Sequence, residues 1–331
     1  MCMEWTEWLR NYHRDHMEEY LREEMQECGL PGEIHKEKAF MGKKEVDRYW
    51  VEIADGILLE GICFEDIQKL CESSEKDVEP EELIKVLCEG WTEEYRFMEE
   101  NREVLFQKEA AQYLFPVLMN TKLNEGLLKK MPHVEKGEFS VAFHLGVPTE
   151  GNNGQTLLVS NQMLEAWEIG LEEALDMAVK NPWFLEQCKT ISDTEMLRMA
   201  NQQIAKEWCG LFQIAEPEKE EETGYTIYGK NVSCAAILLN FEFAQSMHEK
   251  MGGDFLVAFR STGEVQIHKN QGDIEDMQTD LEVHTELWGY SWDYISDQVY
   301  QYSKERGLEL AVAADSRKAE IVKPAEHVPR R

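Results

Sequence analysis

Residues 139–167 read FSVAFHLGVPTEGNNGQTLLVSNQMLEAW, and the change of period within this stretch decides the fold class. Phe139 to Val147 are rich in the aromatic and β-branched residues that suit a pleated strand, and the following PTEGNNG supplies turn chemistry. TLLVS resumes the strand. Ser160 or Asn161 then caps a helix that carries Leu164, Trp167, Leu171, Leu175 and Ala178 on one broad face. The reading is strand, turn, strand, helix. FLVAF at 255–259 opens the same order with EVQIH and a helix from about Asp273, and YTIYG with SCAAILLN and a helix at 241–251 gives it again. FSVAF and FLVAF are either one module used twice or two strands of similar buried composition; no fixed period runs through the chain.

Working outward, Trp5, Trp8, Leu9, Tyr12, Met17, Tyr20 and Leu21 give residues 4–27 a helical spacing that Gly29-Leu30-Pro31 ends. Two strands around Gly42, a third at GILLEG, a helix at about 63–72 and helical stretches from Pro80 to about 110 follow. Pro116 excludes an uninterrupted helix or a central strand from AAQYLFPVLMNT, and LNEGLLKKMP reads as a short helix. Near the C-terminus a helix to about 295 gives way to strands around KERG, and the residues from about 313 read as a mobile tail. The sequence therefore predicts an α+β protein of mixed ββα units with packing helices and a long N-terminal amphipathic helix. Its expected divisions are 1–110, 111–214, 224–312 and 313–331, with the charged AEPEKEEETG at 215–224 as linker.

With 34 basic and 65 acidic residues, the 331-residue chain has a net charge of −31 and no basic stripe. Nucleic acid and anionic membranes, which are bound largely through cationic side chains, are poor partners for such a surface. Another protein, especially a basic one, is the better match, and mimicry of nucleic acid is the remote variant of that idea. No run of apolar residues is long enough to span a bilayer and the first twenty residues are charged, so the expected location is cytoplasmic. The eight cysteines are scattered without a Cys-x-x-Cys pair, which suits buried reduced thiols.

Motifs for chemistry come close and fail. GYTIYGKN at 224–231 has the Gly and Lys spacing of a phosphate loop, but Asn231 stands where a Mg²⁺-binding hydroxyl belongs and the intervening residues favour a strand. HEKMG at 248–252 has Gly252 in place of the second histidine of a zinc helix and reads as a helix end. HRDH puts His13 and His16 on one helix face with Glu19 and Glu23 nearby, a surface able to chelate an adventitious divalent ion, but structural zinc wants four converging ligands with Cys well represented, and solvated polar residues are the plainer explanation. DIEDMQTDLE at 273–282 lacks the glycine of a calcium loop and reads as an exposed helix face. No cofactor is expected.

Several segments carry a resemblance: VLFQKEAAQYLFPVLMNTKLNEGLLKKMPH, LLVSNQMLEAWEIGLEEALDMAVKNP, YGKNVSCAAILLNFEFAQSMHEKMGGDFLV and ISDQVYQYSKERGLEL. Together they resemble an uncharacterised domain-of-unknown-function family common in bacterial gut anaerobes. The matching positions are Asn124, Leu127, Leu128, Pro132, His133, Asn161, Leu164, Trp167, Asn181 and Pro182. The likeness spans most of residues 1–312 and implies a shared fold and a bacterial source, with no activity to transfer. It departs at 260–264, where Arg-Ser-Thr-Gly-Glu replaces a Pro-Ser-Ser turn and a His-Glu pair.

Two functions follow as expectations. The first is a non-catalytic intracellular binding or regulatory protein whose partner is a protein. The second is an enzyme whose site is assembled from residues distant in sequence, with His133, His144, His248 and His268 as candidates for acid/base work.

Overall fold

The computed structural model describes residues 7–41, 44–53, 57–73, 78–147, 155–199, 223–229, 232–270, 274–290 and 293–311. Helix α1 (Glu7–Cys28) leads into β1 (Glu33–Met41), β2 (Lys44–Ile53) and β3 (Ile57–Cys63), then α2 (Phe64–Ser73) and α3 (Pro80–Leu105). A 3₁₀ turn at Lys108–Tyr113 precedes β4 (Leu114–Asn120), α4 (Glu125–Leu128), β5 (Val134–Lys136), β6 (Phe139–Val147) and β7 (Gln155–Leu158). Helices α5 (Asn161–Trp167), α6 (Leu171–Val179) and α7 (Pro182–Gln187) lead to β8 (Cys188–Ser192) and β9 (Gly224–Gly229). A 3₁₀ helix (Cys234–Leu239), α8 (Phe241–Met251), β10 (Phe255–Ser261), β11 (Glu264–Lys269), α9 (Ile274–Trp288), β12 (Val299–Ser303) and β13 (Gly307–Leu310) complete the order.

The strands form three antiparallel sheets: β1-β2-β3, then β4-β6-β5 with β7 also on β6, then β13-β12-β10-β11-β9-β8. The fold is α+β. FSVAF lies in the central strand of the second sheet and FLVAF in a central strand of the third, each buried on both faces. Their surroundings differ. β6 pairs with β4, which precedes it, whereas β10 pairs with β12, which follows it. Pro116 lies in β4 opposite Phe143, and β4 is the margin of its sheet, where a missing backbone donor is tolerated.

Two large cores hold the sheets together. One buries Met17, Leu21 and Met25 of α1 against the first sheet, α3, and Trp167 of α5. The other joins Trp50 and Leu58 of the first sheet to the second and third sheets. A buried polar chain crosses between them: Arg48 of β2 donates to Asn124 Oδ1, Asn124 donates to the Asn120 carbonyl at 2.8 Å, and Asn120 donates to the Ile295 carbonyl at 2.8 Å. Trp167 Nε1 donates to the Leu105 carbonyl at 2.9 Å, and Asn181 caps α7 while reaching back to the Leu114 carbonyl at 2.7 Å. The positions that carry the family resemblance are therefore fold-building.

Four expectations need correction. SCAAILLN is a 3₁₀ helix rather than a strand: Ala235 N–H bonds the Thr262 carbonyl and the Ser233 hydroxyl accepts from Leu118 N–H, so the segment covers the open margin of β4. The helix after Ser160 is two helices, because Glu168 turns left-handed at φ 56° and Ile169 N–H closes back on Leu164 O, a Schellman stop. The last helix ends at Trp288 rather than near 295, and Gly289 follows it in a backbone geometry that has no room for a side chain, a Cβ there lying 2.7 Å from the Thr285 carbonyl oxygen. His13 is buried in α1, on the Met17, Leu21, Met25 stripe, while Tyr12 is exposed. The proposed linker over 215–222, the Gly42 turn and the tail from 312 lie outside the described residues.

Candidate functional site

Along α3, Leu83, Leu87, Trp91 and Glu94 recur at spacings of about one turn, so they form one stripe roughly 16 Å long. Ile84, Cys88 and Met98 fill the buried face of the same helix. Trp91 is buried in the same core and Leu83 and Leu87 pack against it, while the outer side of the stripe faces a cleft. Its opposite wall is Ile67 and Leu70 of α2, and its floor comes from two strands that abut, with Gly61 and Ile62 on β3 and Thr156 and Leu158 on β7. The cleft has a volume of about 420 Å³.

One imidazole reaches this space. His144 stands in β6 between Phe115 of β4 and Leu158 of β7, so all three occupy one face of the second sheet. The Phe115 ring meets it edge to face with centroids 5.5 Å apart. His144, Glu94 and Thr156 are the polar side chains around a space otherwise walled by aliphatic groups and the Trp91 ring. Enclosed apolar volume with a few convergent polar groups is the usual form of a binding site, commonly of roughly 300–1,000 Å³. At the lip, Val86 is 63% exposed, whereas Glu89 and Glu93 line a second, polar cleft on the α1 side of α3 with Glu24, Glu27 and Lys85.

The other candidates lie elsewhere. His133 faces the Met131 carbonyl, Nδ1 to O 3.1 Å, just beyond α4. His248 Nε2 lies 3.3 Å from Asp254 Oδ1, at the C-terminal end of α8, and Asp254 also accepts from Gln301. His268 sits in β11 opposite Leu256 on one side and Gly224 on the other. The four histidines share no site. His13 Nδ1 lies 3.6 Å from Glu81 and 3.4 Å from the Tyr20 hydroxyl, whereas His16 turns to the Tyr12 carbonyl at 2.7 Å. Among the described residues no group of three or more His, Cys, Asp or Glu converges as a metal centre would require. GYTIYG is strand β9, and HEKM ends α8 with Gly252 in the left-handed cap at φ 75°.

A second polar cluster ties α2 to the segment after α9. Asp66, fully buried, accepts from the Cys63 amide at 3.0 Å and from its thiol at 3.0 Å, which closes the first turn of α2. Lys69 donates to the Gly289 carbonyl at the end of α9 and lies 5.8 Å from the Tyr290 ring centroid. Burial holds the Lys69 ammonium below the usual lysine range. Asp293, which accepts from Tyr290 N–H at 3.1 Å, is pushed up to about 6, chiefly by burial and then by the Asp66 carboxylate. Cys63, Lys69 and Tyr290 each donate to a protein acceptor here, so the geometry is that of a joint between chain segments.

The thiols are poor nucleophiles. Burial pushes Cys71 up to about 11 and Cys88 and Cys188 up to about 12, so the reactive thiolate is scarce at neutral pH. Sequence reasoning named His144 but missed Glu94, Thr156 and Trp91. The helical spacing of the α3 stripe was visible, yet a stripe that lines a cleft and one that meets a core have the same period.

No helix among the described residues is long and apolar enough to cross a membrane. No curated protein and no solved structure matched the chain. The sequence profile of a family of unknown function, DUF5688, matches residues 64–304, a span that takes in α2, α3, the second sheet, the third sheet apart from β13, and every side chain lining the cleft except those of β3, and the chain belongs to that family.

Proposed function

We propose that the protein is a non-catalytic binding or regulatory protein of the cytoplasm whose partner, another protein, seats an apolar anchor in the α2–α3 cleft. The cleft supports this reading: Leu70, Leu83 and Leu87 keep part of their surface open along it and Val86 is exposed at its lip, over a buried floor and wall of Ile62, Ile67 and Trp91. The net charge of −31 favours a basic partner and repels nucleic acid and anionic lipid. Free thiols at each of the six described cysteines suit a reducing compartment.

The test is a tagged pull-down at moderate salt, quantified against an equally acidic control protein and against a Leu87→Trp variant that fills the cleft. One partner held at near-stoichiometric yield by the wild type and lost by the variant is the expected result. Equal recovery by both would remove the cleft from the interface.

A second reading has one observation in its favour. His144 and Glu94, far apart in sequence, line the same largely apolar cleft, as an enzyme site assembled from distant residues requires. Turnover of any substrate by the wild type, abolished in both His144→Gln and Glu94→Gln with the fold intact, would establish it over the binding role.

A further inference from the structure

We propose that Cys28 of α1 and Cys88 of α3 are a redox pair, which a hydroperoxide entering the polar cleft on the α1 side of α3 closes into a reversible disulfide. Three observations carry it.

The first is placement. Cys28, the last residue of α1, lines the polar cleft together with Lys85, Glu89 and Thr92 of α3. Lys85, Cys88 and Thr92 stand at spacings of three and four and share one face of α3, where Thr92 Oγ1 donates to the Cys88 carbonyl at 2.7 Å. Cys28 packs on the buried cluster that holds Cys88, and its sulfur raises the Cys88 thiol more than the Glu24 carboxylate does. The second is access. Cys28 is half-buried at the cleft and Cys88 is wholly buried behind it, so the thiol that meets the oxidant is distinct from the one that resolves it. The third is charge. Glu24, Glu27, Glu89 and Glu93 outnumber Lys85 and Arg96 around the opening, which repels an anionic oxidant such as glutathione disulfide and admits an uncharged hydroperoxide. Neither thiol is activated: burial, then Glu24 and Glu89, raises Cys28, and burial pushes Cys88 up to about 12. The pair therefore answers sustained rather than brief oxidation, and proximity drives its second step.

With hydrogen peroxide, the Cys28 sulfur attacks one peroxide oxygen: an S–O bond forms, the O–O bond breaks, and the thiol proton leaves with the other oxygen as water. The Cys88 sulfur then attacks the sulfenic sulfur of Cys28. The S–S bond forms, the S–O bond breaks, and hydroxide leaves with the Cys88 proton as a second water. Two thiols thus lose two electrons and two protons, and the peroxide is reduced to water. The bridge ties α1, which precedes the 64–304 family match, to α3, which lies within it. It closes a loop that contains the first sheet and α2, and so constrains the unfolded chain.

The experiment exposes the reduced full chain to hydrogen peroxide, unfolds it in urea with iodoacetamide and maps the non-reduced tryptic peptides. The expected product is a pair of peptides linked through Cys28 and Cys88, absent from Cys28→Ser and from Cys88→Ser and reversed by dithiothreitol. Adding dithiothreitol should lower the urea midpoint of the peroxide-treated wild type and leave that of treated Cys28→Ser unchanged, a comparison to which methionine oxidation is common. Should the buried Cys88→Ser change disturb the fold, Cys28→Ser at the half-buried end of α1 carries the comparison alone. Cys28 recovered as a sulfinic acid with Cys88 alkylated overturns the pair, as does a bridge from Cys28 to any other of the eight cysteines. Recovery of both thiols alkylated after sustained peroxide overturns it as well.

Discussion

Phe139 and Phe259 meet edge to face, with ring centroids 5.5 Å apart and planes at 74°. They are the first residue of FSVAF and the last of FLVAF, and Tyr300 of β12 packs beside both at 5.0 and 5.5 Å. The two similar pentapeptides are thus central strands of different sheets that touch through their rings. Each phenylalanine is almost wholly buried, so Phe139→Ala and Phe259→Ala should each cost about 3–5 kcal/mol in urea unfolding. Because they share one contact, the double variant should fall short of the sum by about 1 kcal/mol. Strict additivity would mean that the ring contact contributes nothing beyond burial.

The buried Arg48 side chain is a stronger test of what joins the first sheet to the α4 turn. It donates to Asn124 Oδ1 and to the Leu123 carbonyl, and Asn124 in turn holds Asn120. Asn124→Ala removes an acceptor from a guanidinium that water cannot reach, and should cost about 2–4 kcal/mol. Arg48→Met combined with Asn124→Leu, which removes donor and acceptor together, should cost less than Asn124→Ala alone. A double variant at least as unstable as the single one would show that the pair contributes net stability.

These particulars show what the sequence could reveal and where it stopped. Strand and helix order was legible wherever local chemistry was decisive: Pro80 starting α3, Gly252 ending α8, the Gly307 turn between β12 and β13. It failed where tertiary contacts override composition. SCAAILLN has the apolar run of a strand, yet its small residues let a 3₁₀ helix close over the margin of β4. His13 was read as a solvated polar residue because the polarity of its type outweighed its place on the Met17 stripe. Of the cleft, His144 was a candidate, whereas its sharing a cleft with Glu94 depends on how α3 packs on α2 and how β3 abuts β7, which no local pattern encodes.

Four of the six described thiols should be silent in the native state. Burial raises Cys71, Cys88 and Cys188 to about 11, 12 and 12, and Cys234 higher still. Iodoacetamide at pH 8 should leave these four unmodified in mass spectra of tryptic peptides, and modify them fully once urea unfolds the chain. Rapid native labelling of Cys88 would show that α3 opens away from α1 on the labelling timescale.

Asp293 makes the joint between α2 and the segment after α9 sensitive to pH. Its folded-state value is raised from 3.8 to about 6, first by burial and then by Asp66, with Lys69 pulling the other way. A carboxyl raised on folding contributes stability that is complete below its unfolded value and is lost as pH rises through its folded value. The ionised form therefore costs stability above about pH 6, and the cost is absent near pH 4. Asp293→Asn keeps the oxygen that accepts from Tyr290 N–H and removes the charge. At pH 8 it should be more stable than wild type by on the order of 1–2 kcal/mol, after allowance for solvent at this half-buried site. The difference between the two proteins should shrink as pH falls from about 6 to 4, whatever the remaining carboxylates do to both. Parallel urea titrations at pH 4.5, 6 and 8 measure it. A difference that stays constant over that range, or an asparagine that destabilises at pH 8, would show that the joint needs the charge, with Lys69 compensating for burial more fully than the surrounding groups imply.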